Sequence, residues 1–238
     1  MKVSIIIPVF NEEKTISEVI KRTLSLNFEK EIIVVNDGST DNTLKELEKF
    51  RGEIKLINLQ KNRGKGFAVR EGFKASSGDI IVILDADLEL LPEDIPSLIG
   101  PIKNGISGVV FGSRFLKGVK GVNFTYKLGN FILTFFTNLI FKSNITDEAT
   151  GFKVMKREIF EALELEAKGF EICPEMTAKL LNLGVKIHEV PVRYFPNKMK
   201  RKRIGIRDGI KAIMTLLKYR YFYQKKGFHE KKIEKKPV

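Results

Sequence analysis

Five short runs of mainly β-branched apolar residues, at 3–7, 32–35, 54–57, 80–84 and 109–111, recur through the first half of the chain, most of them separated by a stretch of helical character. That alternation predicts an α/β fold in which a mostly parallel sheet is wrapped by helices. A first helix is expected after Asn11, with Ile16, Val19, Ile20 and Leu24 on one stripe, and a second after Ser39 or Thr40 as cap. In open sheets of this kind ligands bind at the carboxyl ends of the strands. Residues 8–13, 36–41 and 85–89 all fall at such ends.

The second half differs. Residues 124–141 are rich in Phe, Leu and Ile but also hold Tyr126, Lys127, Asn130, Thr134, Thr137 and Asn138, so they predict an amphipathic helix rather than a membrane span. Its apolar side is read equally as core or as membrane-facing. A strand at 151–155, a helix over 157–165, a helix opened by Pro174, a strand at 185–190 and a last helix over 206–223 complete the expectation. No internal repeat or low-complexity linker divides the chain. Residues 1–220 are read as one domain, with a basic tail over 221–238.

The charge is unevenly placed. Of 42 basic and 29 acidic residues, positions 198–238 hold 15 and 3, so the C-terminal segment carries +12 of the +13 net charge and the body is near neutral. Such a segment suits anionic lipid, nucleic acid or solvent; no nucleic-acid motif accompanies it, so nucleic acid is not expected as a partner. With 43% hydrophobic residues in 238, the chain can bury a core, which excludes a disordered protein. One cysteine, Cys173, excludes an internal disulfide and a four-cysteine zinc site. His188 and His229 leave little for a transition metal, so any metal is expected to be hard and bound by oxygen. Cys173 and His188 read as packed structural residues. The start, MKVSIIIPVFNEE, lacks the order of a secretory signal, which predicts a cytoplasmic protein.

Chemistry concentrates in IIVILDADLELLPE, where the 80–84 run ends in Asp85, Asp87 and Glu89 at every second position. If the strand continues, both aspartates project from one face. Carboxylates so close repel unless a cation lies between them, and Mg²⁺ or Mn²⁺ typically takes one or two carboxylates plus substrate phosphate oxygens. The turn from Asn36 to Asp41 adds an acid, Asp37, able to accept from a base or ribose. Asn62, Arg63, Gly64, Lys65 and Gly66 place two glycines and two cations before a helix, which suits a phosphate.

The segments PVFNEE, VVNDGSTDNT, NRGKGFAVREGF and LDADLE, in this order and spacing, resemble family-2 glycosyltransferases of the GT-A fold. FGSRF, TDEATGFKVMKRE, GFEICPEMTAKLL and KIHEVPVRY are similar to the branch that includes dolichol-phosphate mannose synthases. The resemblance implies a metal-dependent hexosyltransferase that uses Mg²⁺ or Mn²⁺ and a nucleotide sugar, GDP-mannose favoured over UDP-glucose, and a polyprenyl (dolichyl) phosphate acceptor. It implies that Pro8, Asn11, Glu13, Asp37 and Lys65 bind the nucleotide sugar, and that Asp85 and Asp87 form the metal site, with Glu89 where mannose synthases often carry Gln. Ser113 and Arg114 would meet the acceptor phosphate, and Asp147 would sit near the transferring sugar. The resemblance also implies a nucleotide-sugar-binding half over 1–112 and an acceptor half over 113–220. Lys200, Arg201, Lys202 and Arg203 replace the usual arginine and Ser-Lys pair after the EVP element. No paired membrane helices follow, so the expected location is the cytoplasmic face of an anionic membrane, bound peripherally, with a separate membrane-anchoring subunit as a further candidate partner. Two alternatives stand beside this reading: a GT-A enzyme acting on a sugar hydroxyl with Glu175 or Asp147 as base, and a non-catalytic lipid- or nucleic-acid-binding module, which leaves the acid cluster unexplained.

Overall fold

The computed structural model describes residues 1–118, 124–196 and 205–222. The basic run at 200–203 and the tail beyond 222 lie outside the described residues. Seven strands form one sheet in the order β3-β2-β1-β4-β6-β5-β7. These are β1 (Val3–Val9), β2 (Lys30–Asn36), β3 (Lys55–Asn58), β4 (Ile80–Ile83), β5 (Val109–Ser113), β6 (Lys153–Lys156) and β7 (His188–Pro191). All five runs of the first half are strands. β6 is the exception to parallel pairing, because it runs antiparallel to both β4 and β5 and separates them.

The helices are α1 (Ile16–Leu24), α2 (Thr43–Glu48), α3 (Lys65–Lys74), α4 (Ile95–Lys103), α5 (Phe124–Phe141), α6 (Arg157–Ala162), α7 (Ile172–Asn182) and α8 (Ile206–Tyr221). The stripe Ile16, Val19 and Ile20 of α1 is fully buried, and each such side chain contributes roughly 1.5–3 kcal/mol of transfer free energy. Successive β1 residues serve opposite faces, as the strand period requires. Ile5 and Ile7 belong to the core cluster shared with α1 and α4, whereas Ile6 belongs to the one that holds Val69 of α3 and Ile172 and Met176 of α7. Both faces are thereby covered, which accounts for apolar runs without polar interruption.

Two local expectations are corrected. α2 does not begin after Ser39 or Thr40. Ser39 Oγ instead accepts from the Asn11 N–H at 3.0 Å, and the Thr40 N–H donates to Asn11 Oδ1 at 2.8 Å; the helix starts at Thr43, whose N–H donates to Asp41 Oδ1 at 2.9 Å. The acidic stretch does not continue β4. The strand ends at Ile83, Ala86 and Asp87 form a turn, and Leu88 takes a left-handed φ of 58°. The Glu89 N–H donates to Asp87 Oδ1 at 3.1 Å, a local side-chain bond that competes with the sheet ladder.

β1 lies between β2 and β4, so the chain winds to one side through β3 and then crosses to the other with β4. In open sheets the ligand crevice lies at the carboxyl ends of the strands where the winding reverses. Asn11 and the acidic turn flank it, tied by a bond from Thr15 Oγ1 to the Ala86 carbonyl at 2.7 Å.

Candidate active site at the carboxyl ends of β1, β2 and β4

Pro8 is buried within β1, beside Val35 of β2. Beyond it, Asn11 and Glu13 secure the opposite loop: Glu13 Oε2 accepts from the Asn42 N–H and Nδ2, both at 3.0 Å. Asn11 does so with a φ of 55°, a conformation that asparagine tolerates better than most residues. Asp37 is buried, and its two oxygens accept from the Arg63 and Gly64 N–H groups at 2.8 Å each. It therefore clamps the segment that leads into α3. Gly38, at φ +67°, is needed there because a Cβ would strike the Lys61–Asn62 backbone.

Lys65 is the first residue of α3, and its Nζ lies 2.5 Å from Asp85 Oδ1. Burial of the ammonium works against its charge, but Asp85, with Asp87 beyond, more than offsets this and raises its pKa above the ordinary lysine value. Residues 20 apart in sequence thus meet where β4 ends. On the other side of the Asp85 carboxylate is Gly151, whose Cβ position is filled by Asp85 Oδ2. Glu89 is drawn aside, since Tyr194 donates its hydroxyl to Glu89 Oε2 at 2.9 Å. Among the described residues no three Asp, Glu, His or Cys side chains gather as a metal-holding group. The predicted trio of ligands is therefore not assembled by the protein alone.

Ser113 and Arg114, at the end of β5, are buried. Ser113 Oγ is 2.6 Å from Thr146 Oγ1, and Arg114 donates from Nε and Nη2 to Asp147 at 2.7 Å each. Arg114 Nη1 donates to the Tyr126 hydroxyl, and the guanidinium carbon lies 5.5 Å and 5.4 Å from the Tyr126 and Tyr194 ring centroids. Glu189 of β7 holds the neighbouring loop by accepting from the Thr146 and Asp147 N–H groups; burial raises its carboxyl pKa, against the pull of those bonds.

α5 is inverted relative to an ordinary surface helix. It exposes Leu128, Phe131, Ile132, Phe135, Phe136 and Leu139, with Phe131 66% and Leu139 64% accessible, while Asn130, Thr134 and Thr137 are buried. The polar stripe has a use: Asn138 bonds both backbone groups of Ile145, and Thr134 Oγ1 accepts from the Glu148 N–H. α5 is thus the mould for the loop that carries Asp147.

Glu175 does not stand where a base is needed. Fully buried, it pairs with Lys179 at 2.8 Å and accepts from the Glu166 and Ala167 N–H groups and the Tyr219 hydroxyl. The loop it holds carries the Lys168 carbonyl that receives the Phe67 N–H, so Glu175 supports the start of α3.

Residues 4–164 match the family model described as glycosyl transferase family 2. The chain belongs to glycosyl transferase family 2. Among the relatives of this family 2 glycosyltransferase, dolichol-phosphate mannosyltransferase of Pyrococcus furiosus is 36% identical over 92% of the chain, which spans 64% of that protein's length. UDP-N-acetylglucosamine--dolichyl-phosphate N-acetylglucosaminyltransferase of Methanococcus voltae is 33% identical, covering 90% of the chain and 94% of the relative. The crystal structure of glucosyl-3-phosphoglycerate synthase from Mycobacterium tuberculosis with phosphoglyceric acid aligns with a TM-score of 0.73 at 23% identity, over 92% of this chain and 79% of that one. That likeness is one of fold, the GT-A architecture.

For this glycosyltransferase the motif reading named Asp37, Lys65, Asp85, Arg114 and Asp147 as candidates but not that Lys65 pairs with Asp85 and Arg114 with Asp147. Gly151, Tyr126, Tyr194 and Glu189 were missed. Gly151 stands in the TDEATGF segment and Glu189 and Tyr194 in KIHEVPVRY, so each carried a motif signal without a role; Tyr126 carried none.

Proposed function

We propose that the protein transfers a hexose from a nucleotide sugar to a polyprenyl phosphate at a membrane surface. The observation that carries this reading is the inverted α5: a helix exposing six large apolar side chains, beside a catalytic crevice, suits an acceptor whose lipid tail lies in a bilayer. Met214 and Ile210 of α8 are exposed too, with Lys211, Lys218 and Arg220 also exposed on that helix, and basic residues near an anionic surface add roughly 1 kcal/mol each. Among the described residues no helix is long and apolar enough to cross a membrane, so attachment would be peripheral, at the cytoplasmic face, alone or with a separate anchoring subunit. The relatives named for dolichyl phosphate support the acceptor class, one of them named as a mannosyltransferase and the other for UDP-N-acetylglucosamine; GDP-mannose is the donor we propose, ahead of UDP-glucose.

The donor set fits a hard divalent cation. Asp85 and Asp87 supply two carboxylates, and a lysine ammonium already occupies one of them, which marks the position as one that stabilises positive charge. Asp85 and Asp87 would hold Mg²⁺ or Mn²⁺, with Glu89 at its margin; when bound, the cation would supply charge neutralisation of the leaving diphosphate. The structural relatives crystallised with Mn²⁺ and uridine diphosphate support that use. Pro8, Asn11, Glu13 and Asp37 would line the nucleoside, and Lys65 would meet its phosphates. Arg114 donates three of its five N–H groups within the protein and would direct the remainder, with Ser113, at the acceptor phosphate. Asp147 would orient that arginine. A phosphate oxygen is already anionic, so no strong general base is required, and the buried, paired states of Asp147 and Glu175 fit that chemistry better than attack by a sugar hydroxyl.

The test is transfer by purified protein with Mn²⁺, from GDP-mannose, UDP-glucose or UDP-N-acetylglucosamine, to a polyprenyl phosphate or to soluble glycans. Product on the lipid phosphate is expected. Transfer only to a glycan hydroxyl would overturn the reading.

A further inference from the structure

We propose that Lys65 is a built-in counter-cation that occupies Asp85 in the ligand-free protein and releases it only to an arriving nucleoside diphosphate, so that metal and nucleotide bind as a coupled pair through this one lysine. The inference rests on the reading of Asp85 and Asp87 as the metal-holding carboxylates and deepens it.

The geometry leaves little room for two cations. Asp85 Oδ1 has the Lys65 ammonium 2.5 Å away, and Asp85 Oδ2 faces the Gly151 backbone. The pair is sheltered, with side chains 14% and 28% accessible, so solvent screens it poorly. The foot of the lysine is fixed: Gly64 and Gly66 are pressed on the backbone of residues 167–169, and the Phe67 N–H donates to the Lys168 carbonyl at 3.0 Å. Its head is not fixed in this way, because four rotatable bonds separate it from the helix.

A divalent cation approaching Asp85 without other ligands meets the ammonium at ligand distance and is repelled. A nucleoside diphosphate changes the balance, since its oxygens accept from Lys65 and ligate the metal together, and Asp85 exchanges one cation for another. Linkage then requires that the factor by which nucleotide tightens metal binding equal the factor by which metal tightens nucleotide binding. Removing the Lys65 charge removes a competitor from the metal site and an attraction from the diphosphate site, so the coupling factor falls.

Mn²⁺ binding to the full chain, followed by electron paramagnetic resonance and calorimetry with and without GDP or UDP, tests this. In the wild type, Mn²⁺ alone is expected to bind weakly and to tighten about tenfold or more with saturating nucleoside diphosphate. Lys65→Met, which keeps the apolar stem, is expected to bind Mn²⁺ alone about tenfold tighter, to bind nucleotide alone less well, and to bring the coupling factor toward one. Lys65→Arg keeps the charge and is expected to retain weak binding of Mn²⁺ alone. Lys65→Gln serves as a second neutral variant, with circular dichroism to confirm folding. Unchanged Mn²⁺ affinity and coupling in both neutral variants overturns the inference while leaving the metal site standing. Failure of the wild type to bind Mn²⁺ even with nucleoside diphosphate overturns both.

Discussion

Arg114 and Asp147 form a two-pronged ion pair sealed from solvent: Nε and Nη2 donate to Oδ2 and Oδ1 at 2.7 Å, and the Arg114 backbone N–H adds a third bond to Oδ2 at 3.0 Å. Removing one member leaves a buried charge unpaired, which costs about 3–5 kcal/mol. Asp147→Ala is therefore expected to lower unfolding free energy by that order, read by urea titration. Arg114→Lys keeps the charge but loses the fork. It is expected to raise KM for polyprenyl phosphate far more than KM for the nucleotide sugar; equal rises would assign Arg114 to holding Asp147 alone.

At the acidic turn, Asp87→Asn keeps the size of the side chain and removes its charge. Turnover should fall by about 100-fold or more, the scale of losing an electrostatic stabiliser of developing charge, with the fold intact by circular dichroism. Glu89→Gln, at a side chain already engaged by Tyr194, should cost less. Full activity of Asp87→Asn at limiting Mn²⁺ would remove this residue from the metal site.

Gly151→Ala is the subtler change. The added methyl would occupy the space of Asp85 Oδ2, so the carboxylate must turn while every ligand and charge is kept. A loss of about tenfold in kcat/KM, roughly 1.4 kcal/mol, with little change in melting temperature, is expected. Unchanged kcat/KM would show that the close approach is dispensable.

α5 offers a test of attachment. Full-length protein should sediment with anionic vesicles at low salt and be released as salt rises. Phe135→Asp places a charge on the exposed apolar face and should weaken sedimentation without lowering stability, because that side chain supports no core. Protein that stays in the supernatant at low salt would point to a soluble acceptor.

Far from the crevice, at the other end of the sheet, Glu31 accepts from Lys2, Lys55, Ser4 and the Ser77 N–H. Burial pushes its carboxyl pKa up, but these donors together outweigh it and hold the pKa well below the ordinary range. A depressed pKa stabilises the fold above the unfolded value of about 4.3 and loses that contribution as pH falls below it. Glu31→Gln should therefore lower melting temperature at pH 7, and the difference from wild type should shrink below about pH 4. A difference independent of pH would mean that packing rather than charge is lost.

Local pattern sufficed for the strands and for α5. Apolar runs report burial on both faces directly, and in a parallel α/β sheet the residues that follow a strand must lie along one rim. The motifs at residues 8–13, 36–41 and 85–89 are therefore legible in the sequence as neighbours. Tertiary structure decided the rest, because it depends on contacts between distant segments. β6 inserts antiparallel between β4 and β5, which brings Gly151 against Asp85. The turn at Asp87, stabilised by its own side chain, breaks the alternation that a strand would impose. Lys65 meets Asp85 and Arg114 meets Asp147 only once the sheet order is set. The direction of α5 was also open, since its sequence has a polar and an apolar stripe and either can be buried. The loop at 145–148 settled it, because its backbone groups, once buried, must be hydrogen-bonded, and Asn138 and Thr134 supply the bonds at Ile145 and Glu148, the two ends of that loop.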